Sequence, residues 1–251
     1  MTASHARENP LPCGVLLKTI SDPRPAAVSF DVGGTLIEPW PSVGHVYAEV
    51  AAGFGLAGVE PAALNRSFAT AWKRRAAHDY SRAAWRSLVN ETFAGAGAAH
   101  PSDECFHALY HRFEQAEVWR VFEDVRPVLG ELRARGLKLC VISNWDERLR
   151  PLLDALELAR CFDAIVISHE AGHTKPAPEI FLRAAEQLNL LPEHILHVGD
   201  SAREDEEGAR RAGMQAALLD RRAKEGGGTT VSTLASLPEL LETLRHGLVE
   251  N

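Results

Sequence analysis

Apolar residues follow two different periods along this chain, and the change of period divides it into parts. Short and nearly continuous apolar runs occur at 27–30 and again from 137 onward, as in strands of a parallel sheet that is covered on both faces. Between about 41 and 117, apolar residues recur every three or four positions, which is the period of helices that bury one face. The pattern therefore predicts an α/β unit that is interrupted by a helical insert.

The α/β unit is an alternation of predicted strands and helices. The strands are predicted at 27–30, 137–142, 162–167, 195–198 and 215–219. The helices are predicted at 126–135, 147–156, 178–188, 204–212 and 237–244, with a glycine loop at 226–228. Repeated strand–helix units favour a doubly wound parallel sheet.

The insert carries apolar stripes for four helices, which predict a small bundle. Because the insert starts soon after the loop that follows the first strand, we expect it to lie above that loop and act as a lid. We predict a loosely ordered N-terminal extension at 1–24, an α/β core at 25–39 and 121–251, and a helical cap at 40–120.

The composition limits the classes of function. The 251 residues carry a formal net charge of −7, whereas nucleic-acid-binding proteins normally show a basic face, so no nucleic acid is expected as a partner. No run of about 18 apolar residues occurs, so we predict no membrane-spanning segment. Four scattered cysteines without Cys-x-x-Cys spacing argue against a disulfide framework or a zinc ribbon. A reduced, cytoplasmic location is expected.

Chemically active side chains follow the predicted strands at their carboxyl ends. Asp31 follows the first strand, Ser143 the second, and Asp200 the fourth, while Lys175 lies in the loop after the third. In a parallel sheet these ends meet at one edge. Asp205 comes early in the next helix, where it could orient Lys175 or bound waters.

This set of side chains suits phosphoryl chemistry. Asp31 and Asp200 can hold a hard cation such as Mg²⁺. The metal and Lys175 would offset the charge of a phosphoryl group and permit attack by the Asp31 carboxylate. Candidate ligands of the phosphoryl oxygens are Thr35, Ser143, Asn144 and Lys175, together with backbone N–H groups of the glycine loop.

Four motifs stand in a fixed order along the chain: FDVGGTL at 30–36, VISN at 141–144, KPAPEIF at 175–181 and GDSAREDEEGA at 199–209. Together they resemble the haloacid dehalogenase superfamily of hydrolases, over about residues 26–222. The insert resembles the helical-bundle cap of the subfamily that includes phosphoglycolate phosphatase-like enzymes. The resemblance implies a Rossmann-like α/β core with an inserted cap.

The resemblance also implies roles for individual residues. Asp31 would be the nucleophile, Ser143 and Lys175 would bind the phosphate, and Asp31 and Asp200 would hold Mg²⁺ together with the backbone carbonyl at position 33. Phosphatases of this family carry a second aspartate at that position as general acid and base, but here it is Gly33. Such a proton donor is worth about 10²–10⁴ in rate.

The sequence therefore predicts a slow, Mg²⁺-dependent hydrolase of small phosphorylated metabolites. A non-catalytic phosphate- or partner-binding protein is the alternative. Dehalogenases and phosphonatases also lack the second aspartate. However, no arginine lies between Leu36 and Arg66, where dehalogenases carry one. Lys73 is the insert's only lysine, and its neighbours Arg74 and Arg75 favour a solvated helix face over a Schiff base.

Other polar residues have simpler interpretations. His169 and His173 flank Glu170 as in zinc proteases, but the segment follows a strand and contains a glycine, so no zinc site is expected. His107 and His111 fit a surface helix face. Asp146 could replace the missing proton donor or cap the helix predicted from 147. Trp145 could line the pocket or pack against the cap.

Overall fold

The computed structural model describes residues 24–74, 80–224 and 226–245. The predicted N-terminal extension lies outside this range except for Arg24. The strands are β1 (Ala27–Phe30), β2 (Ile37–Pro39), β3 (Trp119–Val121), β4 (Lys138–Ser143), β5 (Ala164–Ile167), β6 (Ile195–Gly199), β7 (Gln215–Leu219) and β8 (Thr230–Val231). The helices are α1 (Val43–Ala52), α2 (Pro61–Arg74), α3 (Arg82–Gly95), α4 (Asp103–Arg112), α5 (Val125–Ala134), α6 (Leu149–Ala155), α7 (Ser168–Ala171), α8 (Pro178–Leu188), α9 (Gly208–Arg211) and α10 (Leu237–Arg245).

Six strands form one parallel sheet in the order β5-β4-β1-β6-β7-β8. β1 lies inside the sheet, and its last residue Phe30 pairs with Val141 of β4 and with Val198 of β6. The carboxyl ends of these three strands therefore lie side by side. This arrangement confirms the predicted Rossmann-like α/β sheet.

Helices cover both faces of the sheet. In β4, Leu139 and Val141 pack in a cluster with α5, α6 and α10, while Cys140 and Ile142 pack in a second cluster with α8. Successive residues of a strand point to opposite faces, so a strand with two covered faces needs apolar residues at consecutive positions. This requirement explains the unbroken apolar runs in the sequence.

Helices α1–α4 form a third apolar cluster of their own, which includes Tyr47, Leu64, Phe93 and Leu109. The chain enters them through β2 and leaves them through β3, and these two short strands pair antiparallel. The sequence analysis did not predict this ribbon, because three-residue strands give no readable alternation and β2 ends in Pro39. No helix in the described ranges is long and apolar enough to cross a membrane.

Two predicted helices differ from those observed. The helix predicted at 204–212 is a π-helical turn at Ala202–Glu207 followed by α9. The helix predicted at 147–156 begins at Leu149, because the Asp146 carboxylate accepts a hydrogen bond from the backbone of Arg148 and holds a turn there. π-Helical turns occur often at functional sites.

One ion pair ties the loop after β1 to the rest of the core. Arg221 donates two hydrogen bonds of 3.0 Å to the Asp124 carboxylate and one of 2.8 Å to the backbone oxygen of Thr35. Thr233 Oγ1 and the Leu234 N–H also donate to Asp124. Burial alone would raise the pKa of Asp124, but these hydrogen bonds outweigh burial and hold the pKa below its usual range.

We expect Asp124→Asn to lower the free energy of unfolding by about 2 kcal/mol, because Arg221 loses its charged partner. Because the pKa of Asp124 is lower in the folded state than in the unfolded state, the ionised carboxylate stabilises the fold at pH values above its unfolded-state pKa. This stabilisation is lost as the pH falls through the folded-state pKa. The deficit measured by urea unfolding should therefore shrink below about pH 4. Glu123→Gln, at the exposed neighbouring position, is the control. If Asp124→Asn and Glu123→Gln were equally stable, the Asp124–Arg221 ion pair would not stabilise the fold as proposed.

Candidate active site

A buried lysine lies between two carboxylates at the carboxyl end of the sheet. Lys175 Nζ lies 2.7 Å from Asp31 Oδ1 and 2.5 Å from Asp205 Oδ1, and only 1% of the Lys175 side chain is exposed. Burial alone would lower the pKa of Lys175, but the charges and hydrogen bonds of the two aspartates outweigh it and raise the pKa. The ammonium is therefore charged, and it fixes the Asp31 carboxylate at the end of β1.

Asn144 holds the lysine in place through its backbone. Its Oδ1 accepts from the Lys175 N–H at 2.7 Å, and its Nδ2 donates to the Lys175 backbone oxygen at 3.0 Å. Nδ2 also donates to Glu204 at 2.9 Å. Asn144 is predicted from the sequence as a phosphate ligand, whereas in the structure its contacts position Lys175.

Asp205 is supported by a chain of buried hydrogen bonds. His197 Nε2 lies 3.1 Å from Asp205 Oδ1, and His197 Nδ1 lies 2.9 Å from Ser29 Oγ. Because a carboxylate only accepts, Nε2 carries the proton and Nδ1 accepts from the serine. Asp205 Oδ2 accepts from the Ser201 N–H at 3.0 Å. Burial lowers the pKa of His197, so the ring is a neutral support.

Neither His197 nor Ser29 is predicted as a site residue from the sequence. His197 is a single histidine in a buried strand and belongs to no motif with a recognisable spacing. Ser29 lies within β1, whose apolar sequence indicates only a buried strand. Their adjacency in the register of β1 and β6, where Ser29 pairs with His197, becomes visible only once the strand order is known.

Three carboxylates could hold a cation. Ligand oxygens of Asp31, Asp200 and Asp205 all lie within 4.8 Å of one another. Because both oxygens of Asp205 already accept hydrogen bonds, Asp31 and Asp200 are the better ligands. Hard oxygen donors of this kind fit Mg²⁺.

The electrostatics of the pair also favour a cation. Burial raises the pKa of Asp31 to about 6, against the opposing effect of Lys175. Burial, together with the negative charges of Asp31 and Asp205, raises the pKa of Asp200 to about 7. Burial thus disfavours the ionised form of both carboxylates, and a cation bound between them would favour that form.

Two glycines are required for the carboxylates to approach the backbone. Gly34 has a φ of +81°, and a Cβ there would collide with the Asp200 carboxylate. A Cβ on Gly199 would collide with the Asp205 carboxylate. Gly34 and Gly199 thus leave the space that the two side chains occupy.

The ring of Trp145 lies beside Gly33. A Cβ built on Gly33 would lie 3.3 Å from Trp145 Cζ3. An indole ring therefore packs next to the position where phosphatases of the resembling family carry their general acid. The Trp145 ring also packs against Trp119, with 5.3 Å between ring centroids.

A cavity of about 400 Å³ connects the carboxylates to helices α1–α4. Asp31, Ser143, Lys175 and Asp200 line one end of it, and Ser143 Oγ donates to Asp31 Oδ1 at 3.3 Å. The structure does not bring Thr35 to this cavity. Its hydroxyl is buried without a hydrogen-bond partner among the described residues, so the geometry does not place Thr35 as a phosphate ligand.

Asp146 is not a proton donor in this site. Its carboxylate accepts two hydrogen bonds, of 2.8 and 2.5 Å, from the buried guanidinium of Arg148, and it does not line the cavity. In the 169–173 segment, Glu170 pairs with Arg150, and Gly172 ends the short helix α7. Among the described residues, the three-aspartate cluster is the only one with metal-ligand geometry.

Comparison with known proteins agrees with the predicted family. A family model described as haloacid dehalogenase-like hydrolase matches residues 25–213, and the chain belongs to this family. Haloacid dehalogenase-like hydrolase domain-containing protein 3 of Danio rerio is 35% identical over 235 residues, which cover 87% of this chain and 96% of the relative.

Two further similarities concern phosphatases. N-acylneuraminate-9-phosphatase of Rattus norvegicus is 29% identical over 171 residues, which cover 64% of this chain and 66% of that protein. The crystal structure of a HAD phosphatase from Thermococcus onnurineus is similar with a TM-score of 0.60 at 25% identity, covering 86% of this chain and 97% of that one.

We expect Lys175→Met to lower the free energy of unfolding by about 3–5 kcal/mol at about pH 8, because it leaves buried carboxylates without their cation. Without the lysine, the pKa of Asp31 should rise further from its present value of about 6. A raised folded-state pKa stabilises the protein at low pH, and this contribution is lost as the pH rises through it. Urea unfolding should therefore show a smaller deficit at about pH 5.5 than at about pH 8.

Lys138→Met is the matched control, because Lys138 is exposed and donates to a single backbone oxygen, that of Leu188. An equal deficit of Lys175→Met at both pH values would contradict the electrostatic explanation and indicate a packing effect alone.

Proposed function

We propose that the protein is a Mg²⁺-dependent phosphatase of small phosphorylated molecules, with Asp31 as its nucleophile. The observation that carries the proposal is the Asp31 carboxylate, held at 2.7 Å by the Lys175 ammonium at the end of a cavity. Membership of the hydrolase family and similarity to two phosphatases support the same reaction class.

The proposed reaction has two steps. In the first, an oxygen of Asp31 attacks phosphorus, the bond from phosphorus to the leaving group breaks, and the leaving group departs with the electron pair. In the second, water attacks phosphorus and gives up a proton to solvent. The bond between phosphorus and Asp31 breaks, which returns the electron pair to the carboxylate and releases inorganic phosphate.

The protein's own residues reduce the charge repulsion in this reaction. The Lys175 ammonium offsets the negative charge of Asp31 and of the incoming phosphoryl oxygens. Ser143 Oγ lies 3.3 Å from the same Asp31 oxygen, and its proposed role is to donate to a phosphoryl oxygen. Asn144 and Asp205 keep the ammonium in position.

The metal would be held by Asp31 and Asp200, with the backbone carbonyl of Gly33 as a third ligand. When bound, Mg²⁺ supplies positive charge next to the phosphoryl oxygens. We also propose that residues 40–120 act as the cap over a core formed by residues 25–39 and 121–251. The aromatic side chains that α1–α4 contribute to the cavity support this division.

The first test uses 4-nitrophenyl phosphate, whose leaving group departs without a proton donor. We expect wild type to hydrolyse it in Mg²⁺ and to stop when the metal is removed with a chelator. Asp31→Asn should be inactive, because an amide cannot form the acyl phosphate. Asp154→Asn, at an exposed position on α6, is the matched control and should retain wild-type activity.

Two results would overturn the proposal: absence of turnover in wild type, or turnover that survives in Asp31→Asn. Phosphate binding without turnover would instead favour the non-catalytic alternative.

A second test compares two glycines of similar conformation. Gly34 and Gly55 have φ values of +81° and +79°, but only a Cβ on Gly34 would meet a carboxylate. Alanine at either position should cost about 1 kcal/mol of backbone strain. Only Gly34→Ala should also weaken Mg²⁺ binding, by about 10–100-fold, because it displaces Asp200.

Calorimetric titration with Mg²⁺ measures this difference, and thermal unfolding shows whether the two strain costs match. If Gly34→Ala binds Mg²⁺ as tightly as Gly55→Ala does, Asp200 is not a metal ligand.

A further inference from the structure

The cavity is aromatic to an unusual degree for this chain. The sequence contains 5 Trp, 3 Tyr and 9 Phe, and the cavity is lined by four of the tryptophans, all three tyrosines and three of the phenylalanines. Several of these rings, including Trp119 and Trp145, are only partly buried. They therefore present ring surface to the cavity in addition to packing against each other.

The positive charges that described residues bring to the cavity wall are already paired. In the described part of the chain, Lys175 and Arg148 are the only cationic residues that line it. Lys175 is held by Asp31 and Asp205. Arg148 donates to both oxygens of Asp146 and to the Tyr110 backbone oxygen, and its guanidinium stacks on the Tyr110 ring at 3.6 Å.

A ligand that fills the cavity beyond the phosphoryl site would thus meet aromatic carbon. An anionic group on that part of the ligand would be buried without a free cation in the described wall, which is unfavourable. An uncharged aromatic group would instead stack on the rings. A volume of about 400 Å³ is sufficient for one small ring system.

Trp145 lies where this aromatic wall meets the reacting groups. It follows Asn144 at the end of β4, and its ring edge lies against Gly33, two residues after Asp31. At that position the protein has no acid to protonate a leaving group. A phenoxide is a weak enough base to leave without one, since a phenol has a pKa of about 10, whereas an aliphatic alkoxide is far more basic.

From these two features we propose that Trp145 is a specificity-determining residue that stacks on the leaving group, and that the enzyme is selective for phosphate monoesters of uncharged phenols. The aromatic wall and the missing acid favour the same substrates, and each is observed independently of the other. This proposal rests on the proposed phosphatase function and adds to it the class of substrate.

The test measures kcat/KM in Mg²⁺ for phenyl phosphate and for acetyl phosphate. Acetyl phosphate has no ring to stack and a leaving group that needs no proton, so it reports on the phosphoryl site. The discrimination is the ratio of kcat/KM for phenyl phosphate to that for acetyl phosphate. We expect Trp145→Ala to lower this ratio about tenfold, on the scale of aromatic stacking and lost ring contact.

Trp145→Phe should retain most of the discrimination, because it keeps an aromatic face. Trp40→Ala is the control, since Trp40 is 45% exposed and does not line the cavity, and it should leave the ratio unchanged. An unchanged ratio in Trp145→Ala would overturn the assignment of Trp145.

Wild type alone provides a second measurement that needs no variant to fold. We expect kcat/KM for phenyl phosphate to exceed that for 4-carboxyphenyl phosphate by about tenfold or more, because the carboxylate would lose water without gaining a free cation from the described wall residues. Equal or better use of the carboxylated ester would overturn the proposed selectivity. If wild type hydrolyses neither acetyl phosphate nor phenyl phosphate, the phosphatase function itself fails, which is a different result from loss of selectivity.

Discussion

The buried ammonium of Lys175 is the interaction on which the site depends. A buried charge is tolerated only when it is paired with an opposite charge and hydrogen-bonded. Asp31 and Asp205 each form an ion pair with Lys175 and accept a hydrogen bond from it. Much of the surrounding structure serves that pairing. Asn144 fixes the lysine backbone, and His197 helps to orient Asp205. Because these residues come from separate strand ends, the site exists only when β4, β1 and β6 lie side by side.

The polar and apolar halves of the cavity meet at one glycine. The carboxylates of Asp31 and Asp200 lie on one side of Gly33. Burial and, to a smaller extent, repulsion between the negative charges oppose their ionisation, and a bound cation would favour it. On the other side is Trp145, and beyond it the aromatic residues of α1–α4. A Cβ at position 33 would lie 3.3 Å from the indole ring, which is a tight contact. Position 33, which carries no acid, and the aromatic wall are thus neighbours in the cavity.

The sequence was sufficient for five of the six strands of the sheet, all but the two-residue β8, and for much of the site, for physical reasons. β1, β4, β6 and β7 are buried on both faces, so their apolar runs are unambiguous, and parallel topology then brings Asp31, Lys175 and Asp200 to one edge. Contacts between side chains leave no comparable pattern in the sequence. The ribbon of β2 and β3, the support of Asp205 by His197, the position of Thr35 outside the cavity and the packing of Trp145 on Gly33 all depend on tertiary geometry that no spacing in the sequence encodes.

The account depends above all on Asp31 as the nucleophile, and trapping its covalent intermediate tests this most directly. The enzyme would be mixed with an aryl phosphate and Mg²⁺, quenched in acid within the first turnover, digested, and analysed by mass spectrometry. The account predicts one phosphoryl group on the Asp31 carboxyl, removable by hydroxylamine as an acyl phosphate. Release of phosphate with no modification of Asp31, or with the phosphoryl group on another residue, would contradict it.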